Sequence, residues 1–186
     1  MSARVLGEST QALQKSLARL SSGSKLNNAS DDAAGAAVSL KLDSQISRLN
    51  AAKSNVGNGI SFSQTQDGYL KKVGTALDRM GELSVLAQDT TKSSTDLALY
   101  DKEFQKLATF IDDTASKKFN DVALFSATGI KVTQDEDGTA YTMSAVDLGA
   151  AGGKYKLATA TDVTDTTKAA AALTAVKNAV TQLASD

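Results

Sequence analysis

Apolar residues recur at helical spacing along most of the first two thirds of the chain. A first predicted helix covers residues 4–20 and has its leucines on one side: Leu6, Leu13, Leu17 and Leu20. The pattern breaks over residues 21–30 and then predicts one very long helix from Asp31 to about residue 88. At 1.5 Å per residue this helix would be a rod about 87 Å long. Its apolar stripe contains Leu42, Ile46, Leu49, Val56, Ile60, Leu70, Val73, Leu77, Met80 and Ala87.

Glycines interrupt this long helix and make neighbours necessary. Each one costs up to about 1 kcal/mol relative to alanine in an isolated helix. We therefore expect packing against other helices, which glycines would allow to approach closely. A charge in that seam, as in Ile60→Asp, is predicted to destabilise the protein strongly. The glycines are Gly57, Gly59, Gly68, Gly74 and Gly81.

A second helix is predicted over residues 95–116, after a polar link at residues 89–94. Ser93 and Asp96 resemble a capping box with a shorter acid than usual. Because the link is short, the two helices are predicted to form an antiparallel pair. The apolar face of the second helix carries Leu97, Phe104, Leu107 and Ile111.

The last third of the chain changes to strand-like alternation before it becomes helical again. Residues 130–145 predict a β-hairpin with Asp137-Gly138 as its turn. KYKLATA, residues 154–160, is predicted to be a third short strand. The final predicted helix, residues 167–186, reaches the last residue without a stop signal, which indicates a truncated end. Its heptad seam is Leu173, Val176, Val180 and Leu183.

The adjacent carboxylates Asp31 and Asp32 invite an enzyme or metal hypothesis. General acid–base chemistry needs two groups that face one substrate, but adjacent helical residues point about 100° apart. At a helix start, with Ser30 as N-cap, both carboxylates would instead meet free backbone N–H groups and the positive end of the helix dipole. The pattern therefore favours a structural role for the pair.

Composition removes most catalytic chemistry. The chain has no His and no Cys, which excludes histidine triads, thiol nucleophiles and thiolate zinc sites. The calcium-loop-like TQDEDG would need acidic residues at Thr133 and Ser144 and has none there. With 20 basic and 21 acidic residues, and no long apolar segment, neither nucleic acid nor membrane is a predicted partner. We predict no catalytic residue, metal or cofactor, and no enzyme activity.

Three ordered motifs resemble those of bacterial flagellin. Residues 12–42 match RLSSG followed by N-x-A-x-DDAAG, residues 55–70 match N-x-x-DGIS-x-x-QT-x-x-G-x-L, and residues 77–88 are similar to L-x-R-x-REL-x-VQA. FND at residues 119–121 departs from the usual FNG. Residues 172–186 resemble the start of the family's returning C-terminal helix.

The resemblance implies a mainly α fold, an elongated rod of long antiparallel, coiled-coil-like helices with a small β-hairpin element. Four parts are expected: an N-terminal helix and linker (1–30), the N-terminal rod helices (31–125), a small hairpin and loop region (126–166) and the start of the C-terminal rod helix (167–186). The terminal filament-core segments of the family are expected to be missing, so that the isolated chain should remain monomeric.

The implied function is that of a self-assembling subunit of the flagellar filament, used in motility and located outside the cell. Expected partners are other flagellin subunits, the export chaperone, the filament cap and a host Toll-like receptor, with type III export and no cleaved signal peptide. Alternatives are the related hook–filament junction protein, whose usual DDPAG motif disagrees with Ala33, and an unrelated helical adaptor. A flagellin with an inserted metallopeptidase would need the histidines of HExxH.

For receptor recognition, the resemblance implies Arg79, Leu83 and Glu103 as contact residues. An arginine can make paired charged hydrogen bonds and a leucine can fill an apolar pocket. Gly81 and Leu86 stand where the family usually has Arg and Gln. Receptor binding is therefore expected to be weaker than for a flagellin that matches the motif fully.

Overall fold

The computed structural model describes residues 2–23, 25 and 32–186, in two compact units, Met1–Ala52 and Lys53–Asp186. The predicted mainly α fold is confirmed, and the four-part division stays a prediction. The helices are α1 (Ser2–Ser22), α2 (Ala33–Leu86), α3 (Ser94–Ala115), α4 (Lys154–Thr159) and α5 (Thr166–Leu183). The strands are β1 (Lys118–Phe119), β2 (Val122–Ala123), β3 (Lys131–Thr133) and β4 (Ala140–Thr142).

The second unit has a continuous hydrophobic core built from helices α2, α3, α4 and α5. The C-terminal part of α2 supplies residues that step by three and four, which places them on one face. Helix α3 adds Phe104, Ala108 and Ile111 from its predicted apolar side, with Leu97 and Leu107 partly buried beside them. The α2 residues of this core include Val73, Ala76, Leu77, Met80, Leu83 and Ala87.

Helices α2 and α3 are joined by seven residues, 87–93. The predicted capping box is present: Ser93 Oγ accepts from Asp96 N, and Asp96 Oδ2 accepts from Ser93 N at 3.0 Å. Across the link, Arg79 bonds to Glu103, and these residues lie twelve positions before and after residue 91. Similar spacing on the two sides of the link is the pairing expected of two antiparallel helices.

Two antiparallel hairpins follow α3, of which the sequence predicted one. Strands β3 and β4 form the predicted hairpin, but the turn is longer than Asp137-Gly138 alone, and Val132 therefore lies opposite Tyr141. It spans residues 135–138, closed by Gln134 N donating to Thr139 O at 2.9 Å, and only Gly138 within it has a positive φ. The unpredicted pair β1 and β2 turns at Asn120 and Asp121, with φ of 49° and 64°.

The prediction that residues 154–160 form a third strand is wrong, because they contain helix α4. Tyr155, Ala158 and Thr159 are its buried residues, a spacing of three and four that only a helix brings to one face. The helix is fixed to α3, where Asp112 accepts from Lys156 Nζ at 2.8 Å and from Thr159 Oγ1 at 3.1 Å.

The seam of α5 was predicted only in part. Helix α5 begins at N-cap Asp165, whose side chain accepts from Lys168 N. Val176 is buried as expected, but Val180 is 36% exposed. The other buried positions are alanines, which allow close packing: Ala169, Ala172 and Ala179.

Candidate interaction surfaces

The Arg79 side chain is the centre of a charge cluster on the surface of the second unit. Its Nε donates to Glu103 Oε1 at 2.7 Å and its Nη2 donates to Glu103 Oε2 at 3.2 Å, a bidentate pair. Its Nη1 also donates to Glu82 Oε2 at 2.8 Å, one turn further along α2. Two of its five N–H donors stay outside these three bonds.

Both members of the pair are about half exposed, with side-chain exposures of 44% for Arg79 and 46% for Glu103. The hydrogen bond from Arg79 lowers the pKa of Glu103, and the same bond raises the pKa of Arg79 further above its ordinary value. Because solvent screens exposed charges, the pair contributes little to stability. The Arg79–Glu103 pair is held in one orientation at the surface, where a partner can reach it.

Leu83, the third predicted contact residue, is fully buried at 0% exposure. This burial does not support a direct contact, and the role of Leu83 as a receptor contact stays a prediction. Leu83 follows Met80 by three residues and precedes Ala87 by four, so it belongs to the core face of α2. Arg79 lies at the edge of that face, and its side chain extends from the core to the surface.

The neighbours of Arg79 that depart from the flagellin motif have different surroundings. Gly81 is half-buried, and a Cβ there would lie 3.7 Å from Val176 Cγ1, an ordinary contact distance. Leu86 is 41% exposed and its neighbour Val85 is 56% exposed. A Cβ at position 81 and an amide at the exposed position 86 therefore both fit.

Asp32 caps helix α2. Its Oδ1 accepts from Gly35 N at 2.9 Å, and its carbonyl accepts from Ala36 N at 2.9 Å. A Cβ on Gly35 would lie 2.9 Å from Asp32 Cγ, so this glycine makes room for the capping carboxylate. Ser30 and Asp31, the predicted N-cap and its neighbour, lie outside the described residues. The structural role predicted for Asp32 is confirmed, with Asp32 itself as the cap.

The described residues hold no group of three or more His, Cys, Asp or Glu side chains arranged to bind a metal. The TQDEDG segment forms the β3–β4 turn, where Asp135 Oδ1 accepts from Thr139 N at 2.7 Å. None of the described helices is both long and apolar enough to cross a membrane.

The unit Met1–Ala52 exposes a large amount of apolar surface. Helix α1 has no buried residue, although its leucines share one side. Monomeric proteins rarely expose contiguous apolar surfaces of this kind without a partner. The exposed large apolar residues of this unit are Val5, Leu6, Leu13, Leu17, Leu20, Val38, Leu40, Leu42, Ile46 and Leu49.

Ile60, in the second unit, is 53% exposed. The prediction that it lies in a helix–helix seam is therefore wrong. It borders a groove of about 240 Å³ between α2 and the β3–β4 hairpin, together with Val56, Val132 and Tyr141. From Val73 onward, in contrast, the predicted stripe of α2 is buried.

Long helices with exposed apolar faces and short hairpins define an α-helical protein whose candidate sites are surfaces. Residues 2–130 match the family model described as the bacterial flagellin N-terminal helical region. The chain belongs to the bacterial flagellin family, a family of structural proteins. This favours a flagellin over the hook–filament junction and unrelated adaptor alternatives.

Similar proteins include the flagellar filament 33 kDa core protein of Treponema phagedenis, 38% identical over 138 residues, which are 74% of this chain and 48% of that protein. Phase 1 flagellin of Salmonella naestved is 38% identical over 122 residues, covering 65% of this chain and 24% of that protein. The chain thus spans about half the length, or less, of these relatives.

The fold is also similar to the crystal structure of Bacillus cereus flagellin. The TM-score is 0.61 at 24% identity, and the match covers 72% of this chain and 78% of that one. At this identity the likeness supports the fold alone.

Proposed function

We propose that this chain is a structural subunit of the bacterial flagellar filament, and that it assembles with other copies through the apolar helix faces of the unit Met1–Ala52. The observation that carries the proposal is helix α1, whose leucines line one side while no residue is buried. Packing against helices of neighbouring copies would remove this surface from water. The relative in Treponema phagedenis is named a filament core protein.

The test is a pair of double variants in the chromosomal gene that encodes this chain. Leu13→Asp/Leu17→Asp places two charges on the apolar side of α1. Gln11→Asp/Ala18→Asp adds the same charges roughly 130–150° away around the helix, at 100° per residue. We expect the first pair to abolish filaments in electron micrographs and motility in soft agar, and the control pair to retain both. Filaments of normal length from the first pair would refute the assembly surface.

A filament subunit acts outside the cell, and we propose that it leaves by the flagellar type III route without a cleaved signal peptide. Its export chaperone and the filament cap would then be its partners before assembly. The flagellin relationship supports this proposal. Intact-mass measurement of protein sheared from cells should show a chain that keeps residues 2–23. Loss of this segment after export would contradict the proposal.

We further propose that the Arg79–Glu103 pair contributes to recognition by a host Toll-like receptor. The pair is half exposed and held in one geometry, and two arginine N–H donors remain for a partner. Leu83 is buried, and we do not include it in this proposal. Arg79 would then donate charge-assisted hydrogen bonds to an acidic or amide group of the receptor, with Glu103 holding the guanidinium in place.

A binding titration against the receptor ectodomain tests this proposal. Arg79→Ala should weaken binding at least about tenfold, the loss expected from one charged hydrogen-bonded group at an interface. Gly81→Arg/Leu86→Gln should tighten it. Arg48→Ala, which removes an arginine elsewhere on α2, is the matched control and should leave binding unchanged. If Arg79→Ala and Arg48→Ala behave alike, the assignment fails.

A further inference from the structure

Met143 follows strand β4 at the place where the hairpin meets helix α2. Its N–H donates to Ile130 O at 2.8 Å and extends the β3–β4 ladder by one pair. On the other strand a Cβ on Gly129 would overlap the carbonyl oxygen of Met143. Because Gly129 has no Cβ, its backbone lies directly against the backbone of Met143.

Met143 is partly buried and packs against the core of the second unit. It also borders two open grooves between the hairpin and α2, of about 530 and 240 Å³. Phe62 and Ile130 line the larger groove, and Ile60 and Tyr141 line the smaller one. A small solute that enters either groove therefore reaches Met143.

Met80 provides an internal contrast. It lies in the middle of the core and has 0% exposure. Oxidation of a thioether requires contact with the oxidant, so Met80 can react only when the core opens. Two methionines of the same unit thus differ in access while they share the same chemistry.

We propose that Met143 is a site of reversible methionine oxidation that controls how firmly the β3–β4 hairpin docks on α2. A sulfur lone pair attacks one oxygen of a hydroperoxide such as hydrogen peroxide. The S–O bond forms as the O–O bond breaks, the sulfur loses two electrons, and the departing hydroxide takes the remaining proton and leaves as water. The product is methionine sulfoxide, and a thiol-dependent sulfoxide reductase returns it to the thioether.

The modification changes the contact because a sulfoxide is polar, while part of the groove wall that Met143 borders is apolar. Phe62, Ile130 and Val132 offer no side-chain hydrogen bond to a sulfoxide oxygen. The sulfoxide oxygen must therefore turn to water or to the polar side chains of the same groove, such as Asn55, Asn58 and Lys131. Either change requires the side chain to leave its apolar contact. The hairpin then loses packing against α2 and against the core of the second unit.

The first test measures access. The folded chain is treated with dilute hydrogen peroxide, and oxidation at each methionine is followed by peptide mass spectrometry. We expect Met143 to oxidise at least about tenfold faster than Met80, and the difference to disappear in denaturant. Similar rates for the two residues in the folded protein would overturn the proposal.

The second test measures the consequence. Oxidised wild type should melt roughly 3–10 °C below the untreated protein and should recover after sulfoxide reductase treatment. Met143→Leu should be insensitive to peroxide, and Met143→Gln, a neutral polar mimic, should show the lower melting temperature without peroxide. If peroxide lowers the melting temperature of Met143→Leu as much as that of wild type, Met143 is not the controlling site.

Discussion

Two glycines of helix α2 lie two positions apart and differ in what an added methyl group would meet. Around Gly57 nothing lies within 4 Å of an added Cβ. At Gly59 the same atom would lie 3.0 Å from Val132 Cγ2 and 3.3 Å from Val132 Cγ1. The β3–β4 hairpin therefore docks on α2 at Gly59, and Gly57 carries no such contact.

This difference gives the two alanine variants different stabilities. Replacing glycine by alanine inside a helix gains about 0.8–1 kcal/mol from backbone entropy and propensity. Gly57→Ala should keep this gain and raise the melting temperature by about 2–4 °C. At Gly59 overpacking against Val132 costs about 1–3 kcal/mol, which cancels or exceeds the gain. Gly59→Ala should therefore be about 1–3 kcal/mol less stable than Gly57→Ala.

Urea unfolding followed by far-ultraviolet circular dichroism measures both variants, since the chain has no Trp for fluorescence. Val132→Ala should destabilise the wild type but remove the penalty from Gly59→Ala, so that the two changes are non-additive. Gly57→Ala with Val132→Ala is the control and should be additive. If Gly59→Ala stabilises the protein as much as Gly57→Ala does, the β3–β4 hairpin does not pack on α2 at Gly59.

Urea titrations also test the assigned core, the first hairpin and the α3 cap. Leu77→Ala, at a fully buried side chain, should lower the free energy of unfolding by about 2–5 kcal/mol, and Ile60→Ala by less than about 1 kcal/mol; equal losses would contradict the assigned burial. Asp121→Gly should raise the urea midpoint, because Asp121 has a φ of 64° that glycine adopts without strain; a lower midpoint would argue against the turn. The Ser93 hydroxyl lowers the pKa of Asp96 below 3.8, so this cap stabilises the fold above that pH and is lost as the pH falls through the lowered pKa. Asp96→Asn should therefore reduce the fall of the unfolding free energy at acid pH. If that fall is the same in the variant and the wild type, the cap does not cause it.

The long helices could be predicted from the sequence because they repeat one signal many times. The bounds predicted for α2 and α3 agree with the structure to within about two residues. The capping box at Ser93 and Asp96 marked the start of α3 by a purely local pattern. Local and repeated signals of this kind do not depend on the rest of the fold.

The elements that were missed depend on distant residues or on a short turn. Helix α4 is six residues long, and its side chains bond to Asp112, which lies 44 and 47 positions before the two donors. No local period identifies so short a helix. The β1–β2 hairpin did have a local signal in Asn120-Asp121, since these residue types tolerate a positive φ.

The surface residues were harder to predict than the helices. Arg79 and Leu83 lie four positions apart, only about 40° around the helix, yet one is half exposed and the other is fully buried. The boundary between core and surface runs between them, and it is set by how α3 and α5 pack on α2. The same packing leaves Ile60 exposed. It also brings α5 close to its neighbours, where three of its four buried residues are alanines.

Burial also separates the residues that stabilise the monomer from those available for assembly. In the unit Met1–Ala52, Ala52 alone among the described residues is buried, whereas the unit Lys53–Asp186 has a continuous core. A residue without buried contacts contributes little to the unfolding free energy of a single chain. Charges at Leu13 and Leu17 should therefore leave urea unfolding of the purified chain nearly unchanged while they abolish filaments. A charge at the buried Leu77 would lower the unfolding free energy itself, so a loss of filaments there could not be separated from a loss of folding.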